Sequence, residues 1–316
     1  MIELSADKMS SKETAAHVPA VELQTISKSF GAVQALQEVS FIIPQGQVVA
    51  LLGPNGAGKT TAISLMLGLR RPSQGKVCLL GREPHDRRAR SRCGIMLQES
   101  GVPLNLTVRE TITLFSSYYP HPLPLAQILE MAGLKKKAMA QVGSLSGGQR
   151  QRLYFALAIC GNPDVLFLDE PTAGLDVEAR HSFWEQIRAF VQQGKTILLT
   201  THYLEEADAL AERIIVIDHG HVRADASPAA LKAQVSNNRV SFDVSAPLRP
   251  EFFAQLPVLQ MELGDQHVTL LTPKLETVLR ALFTQPVEIT NLAITGASLE
   301  EAFFHLTQDL SEQKGA

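Results

Sequence analysis

The chain has 316 residues, which at roughly 150 residues per domain suggests two domains. Its 45% apolar and 19% charged residues are those of a globular protein and exclude disorder over most of the length. A formal net charge of −3 argues against a dedicated nucleic-acid binder, and three scattered cysteines, Cys78, Cys93 and Cys160, exclude a disulfide framework or a zinc site and fit a reducing compartment.

Residues 1–20 are small and polar, with no periodic apolar face, and read as a mobile tail without the apolar core of a secretory signal. From Val21 the texture changes to short apolar runs alternating with helical patterns. Residues 48–52, 165–168 and 196–200 read as buried parallel strands. Residues 148–159 and 177–193 read as helices, so residues 21–232 are predicted to form an α/β domain. The most apolar runs, such as 214–217, have the length of buried strands and are too short to span a bilayer. The chain is therefore expected to be soluble, or peripheral to a membrane through a partner.

Ser227-Pro228 and then Ser236-Asn237-Asn238 mark a change of composition, taken as the boundary of a small C-terminal α+β domain over residues 236–310. In it, 240–244 reads as a strand, 260–263 and 267–272 as a hairpin around Gly264-Asp265, and 287–294 as a last strand. Pro273 is expected at the first position of a helix running to about Phe283. Ser298-Leu299-Glu300-Glu301 is a capping box, opening a helix with Leu299, Phe303, Leu306 and Leu310 on one face.

Three motifs carry chemistry. Gly53-Pro54-Asn55-Gly56-Ala57-Gly58-Lys59-Thr60 follows a strand and precedes an apolar-periodic helix, the context a phosphate-binding loop requires. Its backbone N–H groups would close around phosphate oxygens at a helix N-terminus. Lys59 would reach the β- and γ-phosphates, and the Thr60 hydroxyl would ligate Mg2+. Asp169-Glu170 ends a buried strand, at the edge where open α/β sheets take ligands. There Asp169 fits a carboxylate holding Mg2+ through water and Glu170 one that polarises the attacking water; a solvated strand end before a turn is the other reading. Leu145-Ser146-Gly147-Gly148-Gln149 lies between these motifs. Ser146 can cap the following helix and the glycines allow a phosphate close to its end, although the pentapeptide alone better describes an ordinary capped helix start.

The ordered set resembles the nucleotide-binding subunit of an ABC transporter. It comprises GPNGAGKTT from Gly53 to Thr61, Gln98, LSGGQ from Leu145 to Gln149, VLFLDEPT from Val165 to Thr172, AGLD from Ala173 to Asp176, and His202. The resemblance covers about residues 21–232, with every motif in the family's order. It implies a P-loop ABC-type ATPase fold, with a RecA-like core, an antiparallel β subdomain and a helical subdomain, and ATP and Mg2+ as ligands. Phe30 takes the place of the aromatic that stacks on adenine, where the family more often has Tyr. Gln98 matches the glutamine that touches Mg2+ and senses the membrane partner. Asp176 matches the carboxylate linking two sites across a dimer, and His202 the histidine that contacts the γ-phosphate. The implied partners are a second ATPase subunit and a membrane permease, at the cytoplasmic face of the cell membrane, with no nucleic acid.

Within the family, residues 204–231, with Glu205-Glu206-Ala207, Arg213-Ile214 and Ser227-Pro228, and residues 297–303 look like the branch of drug, antibiotic, lipid and polysaccharide exporters, with Ala226 in place of a frequent glycine. The alternatives are an importer ATPase with a regulatory tail, a non-transport ABC ATPase acting on ribosomes or DNA, and a regulatory nucleotide switch. A single cassette, without room for a coiled-coil arm between Lys59 and Asp169, argues against ribosome- and DNA-acting members, and Glu170 argues against a mere switch. Arg82, Arg87, Arg88, Arg90 and Arg92, and Lys135-Lys136-Lys137, read as solvated surface. His219 and His221 read as exposed loop residues, and Trp184 as a packing residue. The small domain reads as a packing or dimer-stabilising module in preference to a small-molecule sensor.

Overall fold

The computed structural model of the protein describes residues 18–97, 101–235, 238–245, 250–264, 266–284 and 287–308. Most of the expected N-terminal tail, Asp265 of the hairpin turn and Leu310 lie outside the described residues. In chain order the elements are β1 (Val21–Phe30), β2 (Val33–Ile43), β3 (Val48–Leu52), α1 (Lys59–Met66), β4 (Gln74–Leu79), α2 (Arg87–Arg90), β5 (Cys93–Met96), α3 (Val108–Ser116), α4 (Leu125–Met131), α5 (Gly147–Ile159), β6 (Val165–Asp169), α6 (Val177–Val191) and β7 (Thr196–Thr200). There follow α7 (Leu204–Leu210), β8 (Arg213–Asp218), β9 (His221–Ala226), α8 (Pro228–Gln234), β10 (Asn238–Val244), α9 (Pro250–Phe253), β11 (Gln260–Leu263), β12 (His267–Thr272), α10 (Leu275–Leu282), β13 (Ile289–Thr295) and α11 (Leu299–Gln308).

The central sheet has the order β5-β6-β7-β3-β8-β9, parallel except for the edge strand β9. Its inner strands read as unbroken apolar runs because both faces are covered. Along β3, Val48, Ala50 and Leu52 point into one core with Phe155 of α5 and Phe183 and Phe190 of α6. Val49 and Leu51 point into the other core, with Ile63 and Met66 of α1 and with Leu23, Ile26 and Leu36 of a three-stranded antiparallel sheet, β2-β1-β4. The helices α3 and α4 pack against α5, with Val108, Ile112 and Ile128 fully buried.

The C-terminal segment forms a second, antiparallel sheet in the order β11-β12-β10-β13. Val240, Phe242, Val268 and Leu270 alternate onto one face and meet Val278 and Leu282 of α10 and Phe253 of α9. One local expectation changes. Pro273 stands before α10 rather than at its first position, because the Thr272 hydroxyl accepts the N–H of Lys274, 3.1 Å away, and makes a short turn there. The closing helix α11 reaches the small sheet through the ion pair of Glu301 with Arg239 of β10, at 3.3 Å. The Ser298–Glu301 capping box forms, and Leu299 and Ala302 bury themselves in the ATPase core beside α7 and α8.

Candidate nucleotide site

The ends of β3, β6 and β7 lie side by side at the carboxyl edge of the parallel sheet, where such sheets take ligands. Out of β3 the chain turns through residues 53–58 into α1. A Cβ on Gly53 would sit 2.0 Å from the Ile217 carbonyl oxygen of β8, so no larger residue fits between strand and loop. Gly58 caps α1 in the left-handed region, φ +109°, and a Cβ there would meet the Ala35 carbonyl oxygen at 2.6 Å. Packing and backbone geometry thus both demand glycine here, and the free N–H groups at the start of α1 are left facing a cleft of about 300 Å³.

That cleft is lined by Ala35, by Asn55, Gly56, Ala57, Gly58, Lys59, Thr60 and Thr61, and by Asp169, Glu170 and His202. Gly53 and Pro54 join through their carbonyl oxygens, which accept hydrogen bonds from Lys59 Nζ at 2.6 and 3.0 Å. Half-burial pulls the pKa of Lys59 below the usual lysine value, and the carboxylates of Glu170 and Asp169 partly oppose this by favouring its charge. Among the described residues no group of three or more His, Cys, Asp or Glu side chains is arranged to hold a metal ion. The hard-oxygen pair of Thr60 hydroxyl and Asp169 carboxylate fits Mg2+ bound mainly through phosphate and water.

At the end of β6 the Thr200 hydroxyl donates to Asp169 Oδ1, fixing that carboxylate. The next residue, Glu170, has φ +50°, uncommon for a residue with a side chain, and its N–H donates to the Thr200 carbonyl at 3.0 Å. This turns the Glu170 carboxylate back into the cleft, where Oε1 lies 2.5 Å from His202 Nε2. Thr200 was not singled out from the sequence; its signal, a threonine at the end of a strand next to the acidic one, is too common to mark it.

The described residues among the other sequence candidates do not line this cleft. Ser146 caps α5, its Oγ accepting from the Gln149 N–H at 3.3 Å while Gln149 Oε1 accepts from the Ser146 N–H at 3.2 Å. A Cβ on Gly147 would meet nothing within 4 Å, whereas one on Gly148 would press on Leu175 at 3.3 Å. Asp176 is exposed and caps α6 through the Ala179 N–H at 2.8 Å. Phe30 is 39% exposed, with Lys28 Nζ and Arg70 Cζ each about 5 Å from its ring centre. Gln98 lies outside the described residues. Of the arginine run, Arg82 pairs with Asp86 at 3.3 Å and Arg92 with Asp164. Trp184 is buried, and its indole N–H donates to Glu206 at 3.1 Å.

A phosphate-binding loop at the head of α1, facing an acidic pair at the end of a parallel strand, defines a nucleotide-binding domain of the P-loop class. The profile of the ABC transporter family matches residues 36–173. The Nod factor export ATP-binding protein I of Burkholderia orbicola is 43% identical over 222 residues, 68% of this chain and 73% of that protein. The protein of the same name from Rhizobium johnstonii is 36% identical over 296 residues, 91% of this chain and 94% of that one. Among solved structures, the ATP-binding subunit of an ABC transporter matches with a TM-score of 0.62 at 27% identity, covering 68% of this chain and 92% of that one. A dimeric ATP-binding cassette in a post-hydrolysis state with ADP and Pi matches with a TM-score of 0.59 at 27% identity, covering 66% and 98%. The chain belongs to the ABC transporter family, as an ATP-binding protein. It is an ATPase that works on ATP with Mg2+. No described helix is long and apolar enough to cross a membrane.

Proposed function

We propose that this chain is the motor subunit of an exporter, hydrolysing ATP at the cytoplasmic face of a membrane to drive a separate permease. The supporting observation is the length of the Rhizobium johnstonii match, which runs through the small domain as well as the ATPase domain of a protein named for export. A cassette-only match would leave importers equally placed.

In the proposed cycle the N–H groups of residues 55–61 and Lys59 take the phosphates, with Phe30 against the base. Thr60, Gln98 and Asp169 would hold Mg2+, which supplies charge neutralisation on the phosphate oxygens. Glu170 accepts a proton from water, and His202, beside it, contacts the γ-phosphate. Two chains would pair so that Ser146, Gly147, Gly148 and Gln149 of one cover the nucleotide on the other, with Asp176 at the seam. That arrangement accounts for a signature helix whose exposed Gly147 lies away from its own chain's cleft.

The test is transport. Inside-out vesicles carrying the permease and this chain should accumulate the cargo on adding ATP, and should not when Glu170 is replaced by Gln. Dependence on an external substrate-binding protein, with cargo moving inward across the cell membrane, would establish the importer reading instead.

A further inference from the structure

Glu206 lies in the first turn of α7, four residues after His202, and its neighbour Glu205 is exposed as an acidic residue in that place should be. Glu206 is completely buried. Its Oε1 accepts the indole N–H of Trp184, from α6, at 3.1 Å. Its Oε2 is buried without a hydrogen-bond partner, as is the hydroxyl of Thr172, two residues after Glu170. The hydroxyl of Thr201 accepts the N–H of Tyr203 at 3.0 Å. Arg180 of α6 supplies the nearby charge, its guanidinium lying 3.9 Å from the centre of the Tyr203 ring. The Glu206 N–H donates to the Tyr203 carbonyl at 3.0 Å, so one residue joins the turn that carries His202 to the helix that Asp176 caps.

We propose that Glu206 is a positioning residue for hydrolysis, tying α6, through Trp184, to the turn that carries His202, so that His202 and Glu170 keep their mutual geometry. The inference rests on the roles given to Glu170 and His202 above. A buried acidic group is costly, and a leucine would fill the same volume at lower cost if packing were all that was required. Burial pushes the Glu206 carboxyl above the usual range, against the opposing pull of Thr201, Thr172, Trp184 and Arg180. A neutral amide of the same shape is therefore a close substitute.

The experiment is steady-state ATP hydrolysis by the full chain carrying Glu206→Leu, Glu206→Gln or Trp184→Phe, with melting temperatures. Neither residue lines the cleft, so KM for ATP should stay within about twofold in all three. In Glu206→Leu, kcat should fall by about tenfold or more, the scale of a small misplacement of reacting groups, and Glu206→Gln should recover most of it. Unchanged kcat in Glu206→Leu, a KM that rises in step with the lost kcat, or a Gln variant no better than Leu would each overturn the proposal. If Glu206→Leu fails to fold, Trp184→Phe decides. It removes the one side-chain hydrogen bond that Glu206 makes, and normal kcat in it overturns the proposal. Glu170→Gln, assayed alongside, tests the site reading separately: its continued turnover would displace Glu170 from its role, whatever the Glu206 variants do.

Discussion

Glu170 holds a backbone conformation that costs a non-glycine residue of order 1 kcal/mol or more, and a glycine there would relieve it. The strain is kept because the carboxylate it aims is the one beside His202. Replacing Glu170 with Gln preserves the shape but removes the proton acceptor. Turnover should fall by about 10²–10⁴, the usual worth of a general base, with ATP still bound. Lys59→Ala should act on the other half of the process. Losing a charged donor of about 1.5–3 kcal/mol should weaken ATP binding by about ten- to a hundredfold, measured by nucleotide titration. Equal affinity in the variant would remove the phosphate loop from its place. The cysteines make a separate residue-scale case. Burial pushes the Cys93 thiol up to about 12 and Cys160 up to about 11, from 9.0. Folded pKa values above the unfolded one mean that their contribution to stability is complete below about pH 9. It is lost as the pH rises towards 11 and 12. The fall in urea midpoint between pH 8.5 and 10.5 should therefore be shallower in a Cys93→Ala/Cys160→Ala chain, and an equal slope would place the alkaline loss elsewhere.

At the scale of elements, what was legible in the sequence followed from burial on both faces. β3, β6 and β7 appear as runs such as Val48-Val49-Ala50-Leu51-Leu52 because neither side meets water, and the loops after them carry the motif residues the cleft gathers. Thr200 and Glu206 were not legible, for one physical reason. Their importance lies in partners from other segments, Asp169 for the first and Trp184 for the second, and local spacing does not encode such meetings. A glutamate in a helix's first turn reads as a solvated charge at the positive end of the dipole, as Glu205 is. The docking of α11 was half legible: Leu299, Phe303 and Leu306 predict an apolar face, but not that α7 and α8 would cover it. Leu299 is 4% exposed there. Leu299→Ala should cost about 2–5 kcal/mol of the docking free energy and expose the chain after β13 to protease. Unchanged cleavage and melting would show that α11 adds nothing to the ATPase core.

At the scale of the whole molecule, the cleft of one chain is lined by residues 55–61, Asp169, Glu170 and His202, while Ser146 and Gly147 begin a helix that does not line it. A two-fold pairing that set each signature on the other chain's nucleotide would complete two equivalent sites. Two single lesions then separate the halves of a site. Lys59→Ala removes the loop's cation. In that pairing Gly147→Asp would set a carboxylate against the phosphate, and the monomer should keep its fold, because a Cβ at Gly147 meets nothing within 4 Å. Each variant alone should be nearly inactive. Mixed in equal amounts and allowed to exchange, about half the dimers become hybrids in which one site carries both lesions and the other none. Independent sites would then return about a quarter of normal activity, and sites that must act together would return none. Light scattering of the chain with ATP, read beside its turnover on dilution, decides in either case. A chain that stays monomeric with ATP, and whose turnover per molecule does not fall on dilution, completes its site by itself, and the shared-site arrangement is then wrong.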